Sequence, residues 1–319
     1  MKSRLAPFSR SLDRRRLVAL IAAQTASAAA FAQVTPRAPG RDEGRTPAVL
    51  EPGRGAINLS AIAGPGTTPL QSGLFWRVFQ ERAEPDGSHL AAAESAEAAP
   101  QIVLADGDYV VHVAWGLASA MKRVSINGKL VTERLALNAG ALKVVSVLGD
   151  TPLPANRLSI SIVVPERGNA EARVVVQNAR PGEIVRLPEG NYRVVSTYLE
   201  KESAGSTGAP GAPANSTNSV VNAELRVQAA KITEATLRHR AALLTLKLVN
   251  TPGGEALANT SFSVLTPGGD VIREMIGAFP SLVLAEGEYV VIARRSGKTW
   301  QATFKVQSTL DRDVEVLAQ

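Results

Sequence analysis

The chain contains no cysteine among its 319 residues. Disulfides and thiolate metal sites are therefore excluded, and packing and hydrogen bonds must hold each domain together. Histidine is also rare, since only His89, His112 and His239 occur, and their separation lacks the spacing typical of a metal site. The sequence predicts no cofactor and no metal.

Aromatic residues make up only 4% of the chain, and basic charge is not concentrated after position 32. The whole chain has a net charge of +6, but residues 1–32 contain six Lys or Arg and one Asp, so the rest is nearly balanced. Nucleic-acid binding needs a clustered basic face with stacking aromatics. We therefore expect no nucleic-acid partner.

Sequence signatures of common enzymes are missing as well. There is no Gly-x-Ser-x-Gly elbow, Walker loop or dinucleotide-binding glycine fingerprint. We predict that the protein is not an enzyme, and an envelope hydrolase is the least favoured interpretation.

Residues 1–32 have the pattern of an export signal. The basic run Arg14-Arg15-Arg16 precedes an apolar, alanine-rich stretch that ends in Ala30-Phe31-Ala32, a small-x-small cleavage site. This stretch is shorter than the roughly 20 residues that span a bilayer. We predict cleavage after Ala32, no transmembrane span in the mature chain, and a periplasmic or secreted location. General secretion is favoured over twin-arginine export because Asp13 stands where Ser or Thr is usual.

Residues 33–55 are rich in Pro, Gly and charge and have no hydrophobic period. Such a stretch cannot bury enough apolar surface to offset chain entropy, so it is predicted to be a flexible linker. Beyond it, short runs rich in Val, Ile, Leu and Thr alternate with Gly, Pro and Asn turns, which is typical of β-strands.

One phrase, Leu-x-x-Gly-x-Tyr-x-Val, occurs three times and includes three of the four tyrosines. An internal repeat of this kind determines the architecture. In each copy the tyrosine and the valine fall on one face of a strand, and the hydroxyl can bond a loop carbonyl, as in a tyrosine corner. The motif residues are Leu104, Gly107, Tyr109, Leu187, Gly190, Tyr192, Leu284, Gly287 and Tyr289.

Similar strands flank each copy, so we expect three domains of six or seven strands, at residues 56–152, 153–241 and 242–319. The second domain is taken to open with the strand at 158–163. Its low-complexity tract at 201–218 is predicted to be a flexible loop insertion, which costs little because loop-closure entropy rises only logarithmically with length.

These phrases, with a preceding strand and a Pro-Gly turn, resemble the prealbumin-like sandwiches of carboxypeptidase regulatory-like and Cna-B-type domains. The resemblance implies an all-β chain of three tandem immunoglobulin- or prealbumin-like β-sandwiches. It says little about function, because such domains serve as spacers, adhesin stalks and binding modules. In some of them a Lys and an Asn or Asp form an isopeptide bond. Lys247 and Asp313 could be a counterpart in the third copy, but two exposed side chains explain them more simply.

Two other residue sets could bind something. Trp115, Leu117 and Met121 are a candidate contact patch, although a core position is the default for a strand tryptophan. The acidic pairs at the repeated turns supply only two oxygen ligands each, whereas calcium prefers six to eight, so a turn role explains them better.

The sequence thus predicts a non-catalytic, exported cell-envelope protein that acts as a structural, adhesion or protein-interaction scaffold. A carbohydrate-binding protein is the alternative, and it would need exposed aromatics along one sheet face. The expected partner is an envelope protein or a glycan of unknown identity, and the oligomeric state is left open.

Overall fold

The computed structural model describes residues 51–165, 173–200 and 216–319. The predicted export signal, most of the linker and most of the insertion lie outside these residues. The described part consists of β-strands with one short 3-10 turn at Ala155–Arg157. Among the described residues, no helix is long and apolar enough to cross a membrane.

The first repeat has seven strands in two sheets. Its strands are β1 (Arg54–Ile62), β2 (Leu74–Ala83), β3 (His89–Ser95), β4 (Gln101–Ala105), β5 (Gly107–Trp115), β6 (Ala118–Ile126) and β7 (Leu130–Ala136). One sheet has the order β4-β1-β7 and the other the order β3-β2-β5-β6. β1 pairs in parallel with β7, so the first and last strands of the repeat are neighbours in one sheet.

The second repeat has the same plan. Its strands are β8 (Ala139–Leu148), β9 (Thr151–Pro152), β10 (Leu158–Val164), β11 (Arg173–Val176), β12 (Ile184–Pro188), β13 (Gly190–Leu199), β14 (Ser216–Val227) and β15 (Ile232–His239). The sheets have the orders β12-β8-β15, with the short β9 on β8, and β11-β10-β13-β14.

The third repeat again consists of seven strands. They are β16 (Ala241–Val249), β17 (Thr260–Leu265), β18 (Val271–Gly277), β19 (Ser281–Ala285), β20 (Gly287–Arg295), β21 (Lys298–Val306) and β22 (Arg312–Leu317). The sheets have the orders β19-β16-β22 and β18-β17-β20-β21. The all-β tandem sandwich fold is confirmed, and its two-layer plan agrees with the prealbumin-like resemblance.

Strand pairing differs from the sequence assignment at the start of the second repeat. β8 pairs antiparallel with β12 and parallel with β15, so it belongs to the second sandwich and not to the first. The strand at 158–163 lies in β10, the second long strand of that repeat. Hydrophobic alternation is alike in both strands, and only the pairing distinguishes them.

Two other boundaries move by a few residues. β1 begins at Arg54, inside the predicted linker. β14 begins at Ser216, so the last three residues of the predicted insertion are strand. Tertiary contacts order these polar residues despite their composition.

Each repeat has its own core between its sheets. Trp76 fills the first core and Phe262 the third, and both are fully buried. Ile160 occupies the matching position in the second, since each of the three lies opposite the residue four positions after the repeat tyrosine.

Candidate functional site at the junctions between repeats

The three repeat tyrosines make the same hydrogen bond. The hydroxyls of Tyr109, Tyr192 and Tyr289 donate to the carbonyl oxygens of Ala105, Pro188 and Ala285, at 3.0, 2.9 and 2.8 Å. All three rings are at most 6% exposed. Each tyrosine therefore holds the corner between two strands, and burial raises the pKa of the Tyr192 and Tyr289 hydroxyls.

The remaining motif residues support this corner. Leu104, Leu187 and Leu284 are buried in the three cores. A Cβ on Gly107, Gly190 or Gly287 would meet the tyrosine ring at 3.6 to 3.7 Å, an ordinary contact. Gly107 and Gly287 hold φ values of +157° and +159°, which glycine adopts without strain.

The three residues of the predicted contact patch do not share one face of the sheet. Trp115 follows the inward-facing residues of β5 and is half-buried, whereas Met121 lies opposite His112 on the outer face of the same sheet. Residues of opposite parity point to opposite faces of a strand, so the two side chains are separated by the sheet. Leu117 lies in the turn between them and is 50% exposed.

Trp115 instead contributes to the junction between the first and second repeats. The guanidinium carbon of Arg186, on β12, lies 5.0 Å from the Trp115 ring centroid, in cation–π range. The backbone N–H of Leu117 donates to the carbonyl of Arg186 at 3.1 Å. Gly116 has φ +64°, and a Cβ there would lie 2.7 Å from the Arg186 Cβ. The β5–β6 turn thus covers the edge of β12.

The junction between the second and third repeats contains a buried ion pair. Glu200, directly after β13, pairs with Arg273 on β18 at 3.2 Å, and the side chains are 8% and 4% exposed. Arg273 also donates to the carbonyl of Ser216 at 2.6 Å. Burial raises the pKa of the Glu200 carboxyl, and its bond from the Val283 N–H and the nearby Arg273 charge oppose that rise.

Asn218 on β14 joins the same two repeats. Its side-chain carbonyl accepts from the Ala285 N–H at 2.8 Å, and its amide donates to the Tyr289 hydroxyl at 2.8 Å. The other Glu200 oxygen accepts from the Val283 N–H at 2.5 Å. The outward N–H groups of edge strand β19 are thus paired with side chains of the preceding repeat, which protects the edge.

The two junctions use matching positions. Leu117 follows Tyr109 by eight residues, and Glu200 follows Tyr192 by eight. Their partners, Arg186 and Val283, each immediately precede the motif leucine. One repeat therefore contacts the next through the same pair of places, although the bonding groups differ.

An open cleft of about 640 Å³ lies beside the second junction. It carries both signs of charge, but Arg240 pairs with Glu286 at 2.8 Å and Arg238 pairs with Asp150 at 2.6 Å. These pairs neutralise much of its charge. The cleft thus has the character of a polar interface rim.

A buried polar chain replaces apolar packing in the second repeat. The His239 side chain is fully buried, with Nε2 2.9 Å from the Ser196 hydroxyl and Nδ1 2.9 Å from the Ser219 hydroxyl. Ser146 continues the chain at 2.9 Å from Ser196. Burial lowers the His239 pKa, so the imidazole is neutral and satisfied as donor and acceptor. Because solvent does not reach it, its role is structural.

The other candidate ligands and ions have partners of their own. Asp106 accepts from the Gly128 N–H at 2.6 Å, and Asp108 from the Ser125 hydroxyl at 2.5 Å. Lys247 forms an ion pair with Asp313, whose side chain is 50% exposed. Within the described ranges, no group of three or more His, Asp or Glu side chains could hold a metal.

The histidines are in three separate settings. His89 starts β3 and is exposed, and its Nδ1 lies 2.9 Å from the Gln80 carbonyl oxygen. His112 is half-buried on the outer face of β5, with its pKa lowered by burial and by Arg77. His239 lies inside another repeat. The structure does not bring His112 and His239 together.

Sequence reasoning missed Glu200, Asn218 and Arg273. Glu200 adjoins the low-complexity tract and Asn218 was assigned to it, so composition concealed them. The repeat register offered a signal, because Glu200 is matched in the first repeat by Leu117, a residue singled out for contact.

Comparison with known proteins gives a family match for one repeat. Residues 243–318 match a family described as the Rhizobiales growth-associated tandem repeat domain. That region covers all but the first two residues of the third sandwich. No curated protein matches the chain.

Several solved structures are similar to parts of the chain. The Bacillus anthracis TIE protein is 15% identical over 83% of this chain and 51% of its own, with a TM-score of 0.23. The major pilin subunit of Bacillus cereus is 10% identical over 83% and 100%, with a TM-score of 0.21. The minor pilin of Streptococcus agalactiae is 13% identical over 58% and 94%, with a TM-score of 0.26. The chain spans about half the length of the first of these.

Proposed function

We propose that the protein is an exported, non-catalytic cell-envelope scaffold that holds three sandwiches in fixed succession for structural support or adhesion. One observation carries this proposal: each repeat is bonded to the next through matching positions, and the second junction encloses the Glu200–Arg273 ion pair. Independent modules on flexible connections would not need buried bonds between them.

The polar groups of the described residues support the same function. The buried histidine is bonded to serines, the acidic turns bond their own repeat, and the tyrosine hydroxyls hold corners. These side chains are used for folding. The location in the periplasm or outside the cell, and an envelope protein or glycan as partner, are parts of the proposal that derive from the sequence.

The carbohydrate-binding alternative is less well supported. Of the three tryptophans, Trp76 is buried while Trp115 and Trp300 are half-buried. Among the described aromatics, Phe75 and Phe279 are 36% and 59% exposed, but they belong to different repeats. They do not form a row on one sheet.

The test compares two classes of variant in cells that lack the native gene. Arg273→Ala should loosen the second junction, whereas His112→Ala removes a half-buried ionisable group on the outer face of β5 that the scaffold does not need. We expect Arg273→Ala to lose envelope partners captured by crosslinking, and His112→Ala and Lys143→Ala to retain them. Lys143 is the matched control because its pair with Glu234 is exposed. If a gene encoding Arg273→Ala restored the phenotype of the deleted cells and one encoding His112→Ala did not, the result would contradict the scaffold and favour an enzyme.

Export is tested separately. Fractionation should place the protein outside the cytoplasm, and sequencing of its first residues should begin at Gln33. A cytoplasmic chain that still begins at Met1 would rule out an envelope location.

A further inference from the structure

The first repeat has a sheet edge whose counterparts in the other two repeats are covered. Strand β4 occupies the position of β12 and β19, and within the described residues it pairs only with β1. The preceding repeat covers β12 through Leu117 and β19 through Glu200 and Asn218. No repeat precedes β4 in the described part of the chain.

The side chains along these edges differ accordingly. Val103 holds the position of Arg186 and Val283, immediately before the motif leucine. Val283 is only 4% exposed beneath the second repeat, whereas Val103 is 39% exposed. An exposed apolar residue on an open edge is a recognised site for pairing with another chain.

The opposite end of the described chain carries the matching donor surface. The β20–β21 turn is a two-residue turn of Ser296 and Gly297, as the β5–β6 turn is one of Gly116 and Leu117. Gly297 follows Tyr289 by eight residues, the position of Leu117. Both turn residues are exposed, and within the described part no further repeat follows them.

We propose that the β20–β21 turn of one molecule docks on the β4 edge of a second copy, so that the protein associates head to tail. The Gly297 N–H would donate to the Val103 carbonyl, as the Leu117 N–H donates to that of Arg186. The contact continues the repeat-to-repeat junction across molecules. A heterologous contact of this kind leaves one head and one tail free and extends to longer assemblies.

The charges beside the two surfaces favour this occupant. Arg294 and Lys298 are exposed beside the turn, while the exposed Asp106 directly follows β4 and the exposed Asp108 is the second residue of β5. Opposite charges of this kind steer association and set its register. The inference goes beyond the scaffold function, because a chain that remains monomeric could still act as an envelope scaffold.

The test measures the mass of the exported chain in solution up to about 1 mM, the weak end of specific affinities. We expect the mass of the wild type to rise with concentration. Val103→Lys places a cation beside the basic turn of the next copy and should keep the chain monomeric. Leu130→Lys is the matched control, since Leu130 is 50% exposed on β7, the other edge of the same sheet, and should leave association unchanged.

A mixing experiment distinguishes head-to-tail contact from pairing of two β4 edges. The double variant Arg294→Ala, Lys298→Ala removes the charges of the tail, presents no anion to the Val103→Lys variant, and should also be monomeric alone. Mixed with Val103→Lys, it should give dimers and no larger species, because one intact head meets one intact tail. A tail variant that still associates like the wild type would overturn the proposal in favour of edge-to-edge pairing.

Two further outcomes would also overturn it. One is a wild type that stays monomeric throughout the concentration range. The other is slow hydrogen exchange at the Val103 amide in the monomer, which would show that residues 33–50 of the same chain already occupy the edge.

Discussion

The side-chain amide of Asn218 donates a hydrogen bond to the hydroxyl of Tyr289, 2.8 Å away in the next repeat. The same hydroxyl donates to the carbonyl oxygen of Ala285. The backbone N–H of Ala285 in turn donates to the side-chain carbonyl of Asn218. The tyrosine corner of the third repeat is thus completed by the second. Tyr109 and Tyr192 have no such partner among the described side-chain hydrogen bonds.

Loss of Asn218 should weaken the third repeat more than an ordinary polar truncation. Asn218→Ala leaves the Ala285 N–H without its acceptor, and we expect a loss of about 1–3 kcal/mol in unfolding free energy. Denaturant unfolding followed by Trp300 fluorescence would measure it, since Trp300 lies in β21. Asn222→Ala, farther along β14, is the control and should cost much less. Equal effects of the two changes would contradict the bridging role.

Removal of one partner of the buried ion pair should be costlier still. Arg273→Ala strands the Glu200 carboxylate in the junction, and breaking such a pair costs about 3–5 kcal/mol. Arg193→Ala, which removes a pair of which both members are exposed, should change stability by less than about 1 kcal/mol.

The measurement is thermal unfolding with hydrogen exchange read repeat by repeat. Combining Arg273→Ala with Glu200→Gln should recover part of the stability, because the buried charge is then gone. A double variant no more stable than the single one would show that the stranded carboxylate is not the cause.

His239 should make the second repeat sensitive to acid. Because burial lowers the pKa in the folded state, the unfolded state takes up the proton more readily. The stability contribution is therefore present above the ordinary value of 6.5 and is lost as the pH falls below it towards the folded-state pKa. The loss is at most about 1.4 kcal/mol per pH unit.

Exchange of second-repeat amides between pH 7.5 and 5 would measure this slope. Leu137 holds the matching position in the first repeat, so His239→Leu introduces the residue found there. This change should flatten the slope, although it removes the imidazole partner of Ser219 and leaves Ser196 bonded only to Ser146. His112→Gln is the control and should preserve the slope. A slope unchanged in His239→Leu would refute the assignment.

Gly116 should be intolerant of a side chain. Gly116→Ala adds a Cβ 2.7 Å from that of Arg186 and also strains φ +64°. We expect a loss of about 1–3 kcal/mol and a loosened first junction. Gly297→Ala is the matched control: its φ is +75° and nothing lies within 4 Å, so it shares only the backbone strain. Denaturant unfolding with hydrogen exchange read repeat by repeat would compare the two losses, and equal losses would exclude the contact.

Much of this fold could be predicted from one phrase. The spacing of Leu104, Gly107 and Tyr109 recurs because each copy meets the same local demand, a strand end, a bend and a ring that holds it. The start of the second repeat could not be placed in this way, because β8 and β10 are both alternating apolar strands. Their difference lies in partners that are distant in sequence.

The candidate site was less accessible for the same reason. For Trp115 a core position was the default and a contact patch the alternative, and whether an inward residue at a strand end is exposed depends on what packs beyond it, here Arg186. Glu200 and Asn218 look like residues of a polar tract until the edge of β19 lies against them.

The sequence by itself determined the strand composition, the threefold repetition and the corner in each copy, because these depend on side-chain period and local turn chemistry. Only the tertiary structure decided which strands share a sheet and how one repeat bonds to the next. Such bonds join backbone groups to side chains far apart in the chain, and no local pattern records that meeting.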